Sequence, residues 1–475
     1  MITKIRKTDT KLKRYLTTNV LEQISLIFIS STVASSSLYL IDSLLPNTEY
    51  RMFGLNAIFV AMLTLLLFIF KKYLYSKKDV MTRTDVIVIL IFSIINFFIS
   101  TKLMSVEFLT NTLDFKSHAD LVTIIKGFEQ PFLGSNRGHG NQPFYPLGSL
   151  YQFSFITSLI NITSIEILRG VYVLIAALIW PIILWQYIQS FNLSKISKTK
   201  IFIIGLTLNH MPYGYFYWGH LPTVISILVA MWLEMTFSKL RINSLKILGL
   251  NLIATIVLLQ IHPVGVGTII GLQIIRWSLE NSRSRIKIIK EAKMGLIIGT
   301  LLTILFFINV RFNIVYESIN YQIIQNYEKL SNGTTFIYNV SLWERFNNYM
   351  YKWLIQLKYT EFPTLDLLFM LLLVSIIVMG KRVKYLVIIL VQILLIASTA
   401  ASQQSFPISL IALPTFLFYS SPSRISHLTI ILLILLTGKT LDIISSRNLF
   451  YKILTHHYTW LLFLFIFNWH FYVNI

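Results

Sequence analysis

Cysteine is absent from all 475 residues. Disulfides, thiolate metal sites and cysteine nucleophiles are therefore excluded. Charge is scarce as well: Asp, Glu, Lys and Arg make up 13%, against roughly 25% in an average soluble domain. There is no internal repeat, no low-complexity tract and no basic domain interleaved with aromatics. The last absence argues against nucleic acid as a partner, although the formal net charge is +21.

Apolar residues are abundant, at 55%. Apolar runs of about 17–25 residues, the length a helix needs to cross a bilayer, recur along the chain. Lipid offers an unpaired backbone amide no partner, so the spans must be helices. The expected fold class is all-α, a polytopic integral membrane protein with about 13–15 transmembrane helices and two long extracytoplasmic segments. Lys and Arg cluster between the runs, which sets orientation. Lys4, Arg6, Lys7, Lys11, Lys13 and Arg14 hold the N-terminus in the cytoplasm, before an uncleaved first span at Val20–Leu45. The expected location is the cell membrane, with many passes and the bilayer itself as a partner.

Three parts follow: a transmembrane module over 1–310 with an outer loop at 105–146, an extracytoplasmic segment at 311–363, and further spans over 364–475. Phe53–Phe70 returns to Lys71 and Lys72, and Asp85–Met104 crosses outward. Leu147–Ile162 is short for a span. If it crosses, Lys195, Lys198 and Lys200 fall outside. If it lies in the interface or re-enters, Ile165–Phe191 runs inward, Ile201–Phe216 outward and Trp218–Phe237 inward. The positive-inside rule favours the second arrangement. Ile247–Ile261 and Val264–Trp277 then make a hairpin with His262-Pro263 at its outer tip. Continued alternation puts Lys439, Arg447 and Lys452 outside, against the same rule.

One polar island interrupts this pattern. Asp114 to Tyr145 reads DFKSHADLVTIIKGFEQPFLGSNRGHGNQPFY. Its two Asp, one Glu, one Arg and two His must lie outside the hydrocarbon. Asp114 and His118 are four apart, so on a helix they share a face. Asp120 is about 120° round from Asp114 and joins them only if the helix frays or bends. A carboxylate here can take a proton from an acceptor hydroxyl. It can also hold Mg²⁺ or Mn²⁺, with Asp114 and Asp120 the candidate ligands. The plainer alternative is a solvated loop in which Asp114 caps a helix.

Further candidates lie on the same side. Arg137 and His139 sit among Gly134, Gly138 and Gly140, where backbone can approach a ligand and a guanidinium can grip phosphate. The alternative is a ligand-free loop. The segment HMPYGYFYWGH, His210 to His220, is either an interfacial aromatic belt or a wall for stacking sugar or cradling lipid. Trp218 and His220 are its substrate-binding candidates. His262 is the sharpest isolated signal, because an ionisable residue within a membrane points to function. Its alternative is a neutral imidazole bonded to a carbonyl freed by Pro263. Arg345, in the second outer segment, can meet a lipid phosphate, although most charges there read as a solvated face.

The order of these features resembles the GT-C superfamily of polytopic glycosyltransferases. Asp114 stands for the acidic residue of the outer loop, Asn141-Gln-Pro-Phe-Tyr-Pro-Leu-Gly148 for the Pro-rich stretch, and Arg169 for the Arg beyond it. The D-x(3)-H pattern (Asp114, His118), Tyr145-Pro-Leu-Gly148, Trp218-Gly-His-Leu-Pro222 and His262-Pro263 are similar to an uncharacterised bacterial branch. The likeness covers roughly Asp85 to Arg285. It implies inverting transfer of a sugar from a polyprenyl-phosphate carrier to a glycan, lipid or protein acceptor on the outer face. Asp114 is then the general base or metal ligand, and His118 its orienting partner or a phosphate contact. A lipid-linked glycan transporter or flippase, and a polysaccharide polymerase or assembly subunit, are the alternatives.

Overall fold

A computed structural model describes residues 23–38, 51–74, 83–103, 113–126, 148–160, 162–207, 212, 215–216, 220–239, 244–280, 417–418 and 422–445. The second outer segment (311–363) and most of the C-terminal region lie outside the described residues, as do Arg137, His139, Trp218 and Arg345.

The described chain is all-helical. Its elements are α1 (Gln23–Leu38), α2 (Arg51–Leu74), α3 (Arg83–Leu103), α4 (Leu113–Lys126), α5 (Gly148–Ile160), α6 (Ser164–Leu174), α7 (Trp180–Gln189), α8 (Lys195–Thr207), α9 (Leu221–Lys239), α10 (Ser244–Ile261), α11 (Val264–Glu280) and α12 (Pro422–Ser445). No strand occurs among the described residues. Among the described residues, three helices are long and apolar enough to cross a membrane: Ser164–Gln189, Leu221–Ser238 and Arg424–Ile443.

The first of these begins with a capping box. Thr163 Oγ1 accepts from the Glu166 N–H (3.2 Å), and Glu166 Oε2 accepts from the Thr163 N–H (2.9 Å). Its middle widens into a π-helical turn, Ile175–Ile179, where the Trp180 N–H donates to the Ile175 carbonyl. Pro181 explains the turn, since it has no N–H and its ring crowds the preceding turn. Asn96 of α3 donates to the Ala176 carbonyl (3.2 Å) and satisfies the loosened backbone.

Helices approach closely at small residues, as in bilayers. α1 is rich in Ser and Thr and meets the start of α5. Ser35 Oγ donates to the Gly148 carbonyl (2.6 Å), and Gln152 Oε1 accepts from Ser31 and Thr32. A Cβ on Gly148 would lie 2.6 Å from the Gln260 carbonyl and 2.9 Å from Ser36 Cα, both backbone atoms that cannot swing aside. Gly148→Ala is therefore expected to lower stability by about 1–3 kcal/mol through overpacking. Gly170→Ala is its control, with open space around the added methyl. Thermal denaturation of the two purified variants checks the difference.

Two ends of the bundle are defined by different chemistry. At one end Arg276 of α11 pairs with Glu234 of α9 in a fork. Nε donates to Oε1 (2.5 Å) and Nη2 to Oε2 (2.9 Å). Its remaining donors reach the Ser190 hydroxyl (2.7 Å) and carbonyl (3.2 Å) in the turn after α7. The guanidinium lies 4.0 Å from the Phe191 ring centre. In the same turn the Asn192 N–H donates to Glu280 (3.2 Å), and Lys439 Nζ donates to the Asn192 carbonyl (2.8 Å). Asp442 accepts from the Ser194 N–H (3.1 Å) and from the hydroxyls of Ser194 and Ser197. Lys439 therefore shares an end with Lys195 and Lys198. The alternating count that put it on the other side runs through 281–416, outside the described residues.

α5 does not run from end to end. It starts against Gln260, two residues from His262, and finishes four residues before Ser164. Ser164–Gln189 is 26 residues, about 39 Å long at about 1.5 Å per residue, and its far end is at Ser190. Both ends of α5 therefore lie away from Ser190.

Candidate functional site

The break between α10 and α11 is the focus of the opposite end. The His262 N–H still donates to the Leu258 carbonyl (2.8 Å), so α10 runs into the break. Pro263 then supplies no N–H, and α11 restarts with Gly265 N–H donating to the His262 carbonyl (3.0 Å). The His262 ring folds over this start. Its Nδ1 accepts from the Val264 N–H (3.4 Å), which leaves the proton on Nε2, facing Thr223 Oγ1 (3.3 Å). The ring is 3% exposed. Burial first, then the charge of Arg424 and the imidazoles of His220 and His118, hold it well below the usual imidazole range. His262 is neutral, as one alternative required, and it bonds the Val264 amide and the Thr223 hydroxyl.

His118, His220 and Arg424 thus lie close enough to His262 to act on its charge. They arrive from three different elements. His118 is on α4 and is 1% exposed. Phe115, one turn earlier, seats α4 against Tyr172 of α6 with ring centres 5.7 Å apart. Asp114 is the second residue of α4, one turn before His118 on the same helical face. Asp120 is exposed while His118 is buried. A regular helix separates them, so Asp120 does not join the gathering. Arg169 is partly exposed on α6.

His220 precedes α9, and its carbonyl accepts the Val224 N–H (3.1 Å). Its Nε2 lies 3.5 Å from Arg424 Nη2. A guanidinium can only donate, so the imidazole presents a lone pair there. Arg424 comes from the first turn of α12, 204 residues away in sequence.

A second set of residues completes this end. Tyr215 Oη is 3.0 Å from His427 Nδ1, and His427 Nε2 is 2.8 Å from Thr268 Oγ1. Thr268 Oγ1 in turn donates to the Val264 carbonyl (2.7 Å). Among the described residues no three His, Asp or Glu side chains are grouped to hold a metal ion.

Reading the sequence alone located His118, His220 and His262, and the structure brings these three together. It missed Tyr215, Thr268, Arg424 and His427. One signal was available: an Arg and a His three apart, at the head of an apolar run long enough to span a bilayer, are ionisable residues where few are expected. In comparisons with known proteins, no family model, curated protein or solved structure matches the chain.

Proposed function

We propose that the chain is a multi-pass cell-membrane glycosyltransferase, of the kind its sequence resembles, acting at the His262 end. It carries a sugar from a polyprenyl-phosphate donor to a hydroxyl on a glycan, lipid or protein acceptor. One observation supports this most: His118, His220 and Arg424, scarce ionisable groups from three elements, all lie near enough to His262 to act on its charge, and His220 meets Arg424 at 3.5 Å. Their neighbour on α4 is Asp114, in register with His118. In this reading the acceptor oxygen attacks the anomeric carbon and the bond to the carrier phosphate breaks. Asp114 takes the hydroxyl proton, and polyprenyl phosphate leaves with the bonding pair. The donor set gives no fit for Mg²⁺ or Mn²⁺ among the described residues, so no step is assigned to one. Purified protein releasing polyprenyl phosphate from a polyprenyl-phospho-sugar, with the sugar recovered on an acceptor, is the test. No turnover with any such donor rejects the reading.

The orientation rests on charge. Lys195, Lys198 and Lys439 share the Ser190 end, which the positive-inside rule assigns to the cytoplasm, together with the N-terminus. The His262 end then faces outward, in a chain of about 13–15 spans. Because the protein has no cysteine, single cysteines report this directly. Asp120 and Lys195 are both exposed. A membrane-impermeant maleimide is expected to label Asp120→Cys in intact cells and Lys195→Cys only after the cells are opened. The reverse pattern would invert the topology.

A second reading is a transporter for a lipid-linked glycan. It is favoured by α4 and α5, short helices of 14 and 13 residues beside the cluster, since interrupted helices line transporter sites. Proteoliposomes that move the intact donor across the bilayer without cleaving it would select this reading.

A further inference from the structure

The hydrogen bonds around His427 have one consistent direction. Thr268 has a single hydroxyl hydrogen, and it points to the Val264 carbonyl at 2.7 Å. Toward His427 it can therefore only accept, so Nε2 carries the ring proton. A neutral imidazole then offers Nδ1 as acceptor, and the Tyr215 hydroxyl donates to it at 3.0 Å. The chain runs from Tyr215 through His427 and Thr268 to Val264, and each member donates once.

Its two ends are the supports of the two site histidines. Tyr215 accepts the His220 N–H at its carbonyl (3.0 Å), and its ring centre is 6.4 Å from that of His220. Val264 donates its N–H to His262 Nδ1. His427 is also three residues after Arg424 on α12. It is fully buried, with Phe418 beside it at 6.3 Å between ring centres.

We infer that His427 is a positioning residue, which fixes His220, His262 and Arg424 relative to one another while lying behind them. This rests on the proposed site at the His262 end. Through one side chain, His427 joins the 215–220 segment, α11 and α12. An imidazole suits the task because a neutral ring accepts at one nitrogen and donates at the other, in one rigid plane.

The test has two arms. In the first, His427→Leu and the near-isosteric Thr268→Val and Tyr215→Phe are assayed for sugar transfer in lipid nanodiscs. Each is expected to lower the turnover rate, by up to about 10²-fold for a misplacement near 1 Å, with the donor KM little changed. Tyr215→Phe combined with Thr268→Val is expected to lose no more than the worse single variant, because both cut one chain. Independent, multiplying losses overturn the inference, as do variants that transfer at the wild-type rate per folded molecule. The second arm needs no enzyme activity. In a His220→Cys background, the maleimide labelling rate is expected to rise severalfold when Thr268→Val or His427→Leu is added. An unchanged rate overturns the inference. A wild-type protein that moves no sugar rejects the glycosyltransferase reading, while the labelling arm still decides whether His427 holds His220 in place. Thr268→Val keeps both arms usable if His427→Leu does not fold.

Discussion

Arg276→Leu is expected to destabilise the bundle by about 3–5 kcal/mol, because it strands a buried carboxylate. Glu234 is 2% exposed, and Arg276 is its charged partner in a two-bond fork. The same guanidinium satisfies the hydroxyl and carbonyl of Ser190. Its loss removes two hydrogen bonds that tie the turn after α7 to α11. Replacing both partners, Glu234→Leu with Arg276→Leu, is expected to recover much of the loss, since no uncompensated charge then remains. Thermal denaturation of the purified variants measures both. A single variant as stable as the wild type, or a double variant worse than the single, would show that the fork is not what holds this end.

Asp114→Ala is expected to remove sugar transfer by about 10²–10⁴-fold, the usual contribution of a positioned proton acceptor. Membrane insertion and thermal stability should be retained, because the residue sits in the first turn of α4 and that helix is seated by Phe115 and His118 further along. Asp120→Ala is the matched control. Asp120 is exposed on the same helix, away from the buried His118 face, so transfer should be unchanged. Transfer assayed on both variants, normalised to folded protein, separates the two carboxylates. Equal losses, or none, would remove Asp114 from the proposed chemistry.

Much of the architecture was legible because lipid-length apolar runs are hard to misread. Ser164–Gln189 lies within the expected Ile165–Phe191 run apart from its first residue, and the His262 hairpin breaks where His-Pro stands. The charge rule also chose between two arrangements of the short apolar stretch before Ile162, where the structure has the 13-residue helix α5. The π-helical turn was not foreseen. A proline inside an apolar run announces a disturbance, but its form depends on Asn96 of another helix. The alternating count and the bond from Lys439 to the Asn192 carbonyl disagree, and the parity of that count depends on 281–416, outside the described residues.

Which residues carry scarce charge inside an apolar chain is a local property, and His118, His220 and His262 stood out on that basis alone. Who meets whom is not local. Arg276 finds Glu234 across 42 positions, Tyr215 finds His427 across 212, and Arg424 finds His220 across 204. Only the packing of helices brings such residues within hydrogen-bond range, because a bond needs about 3 Å and composition carries no distance.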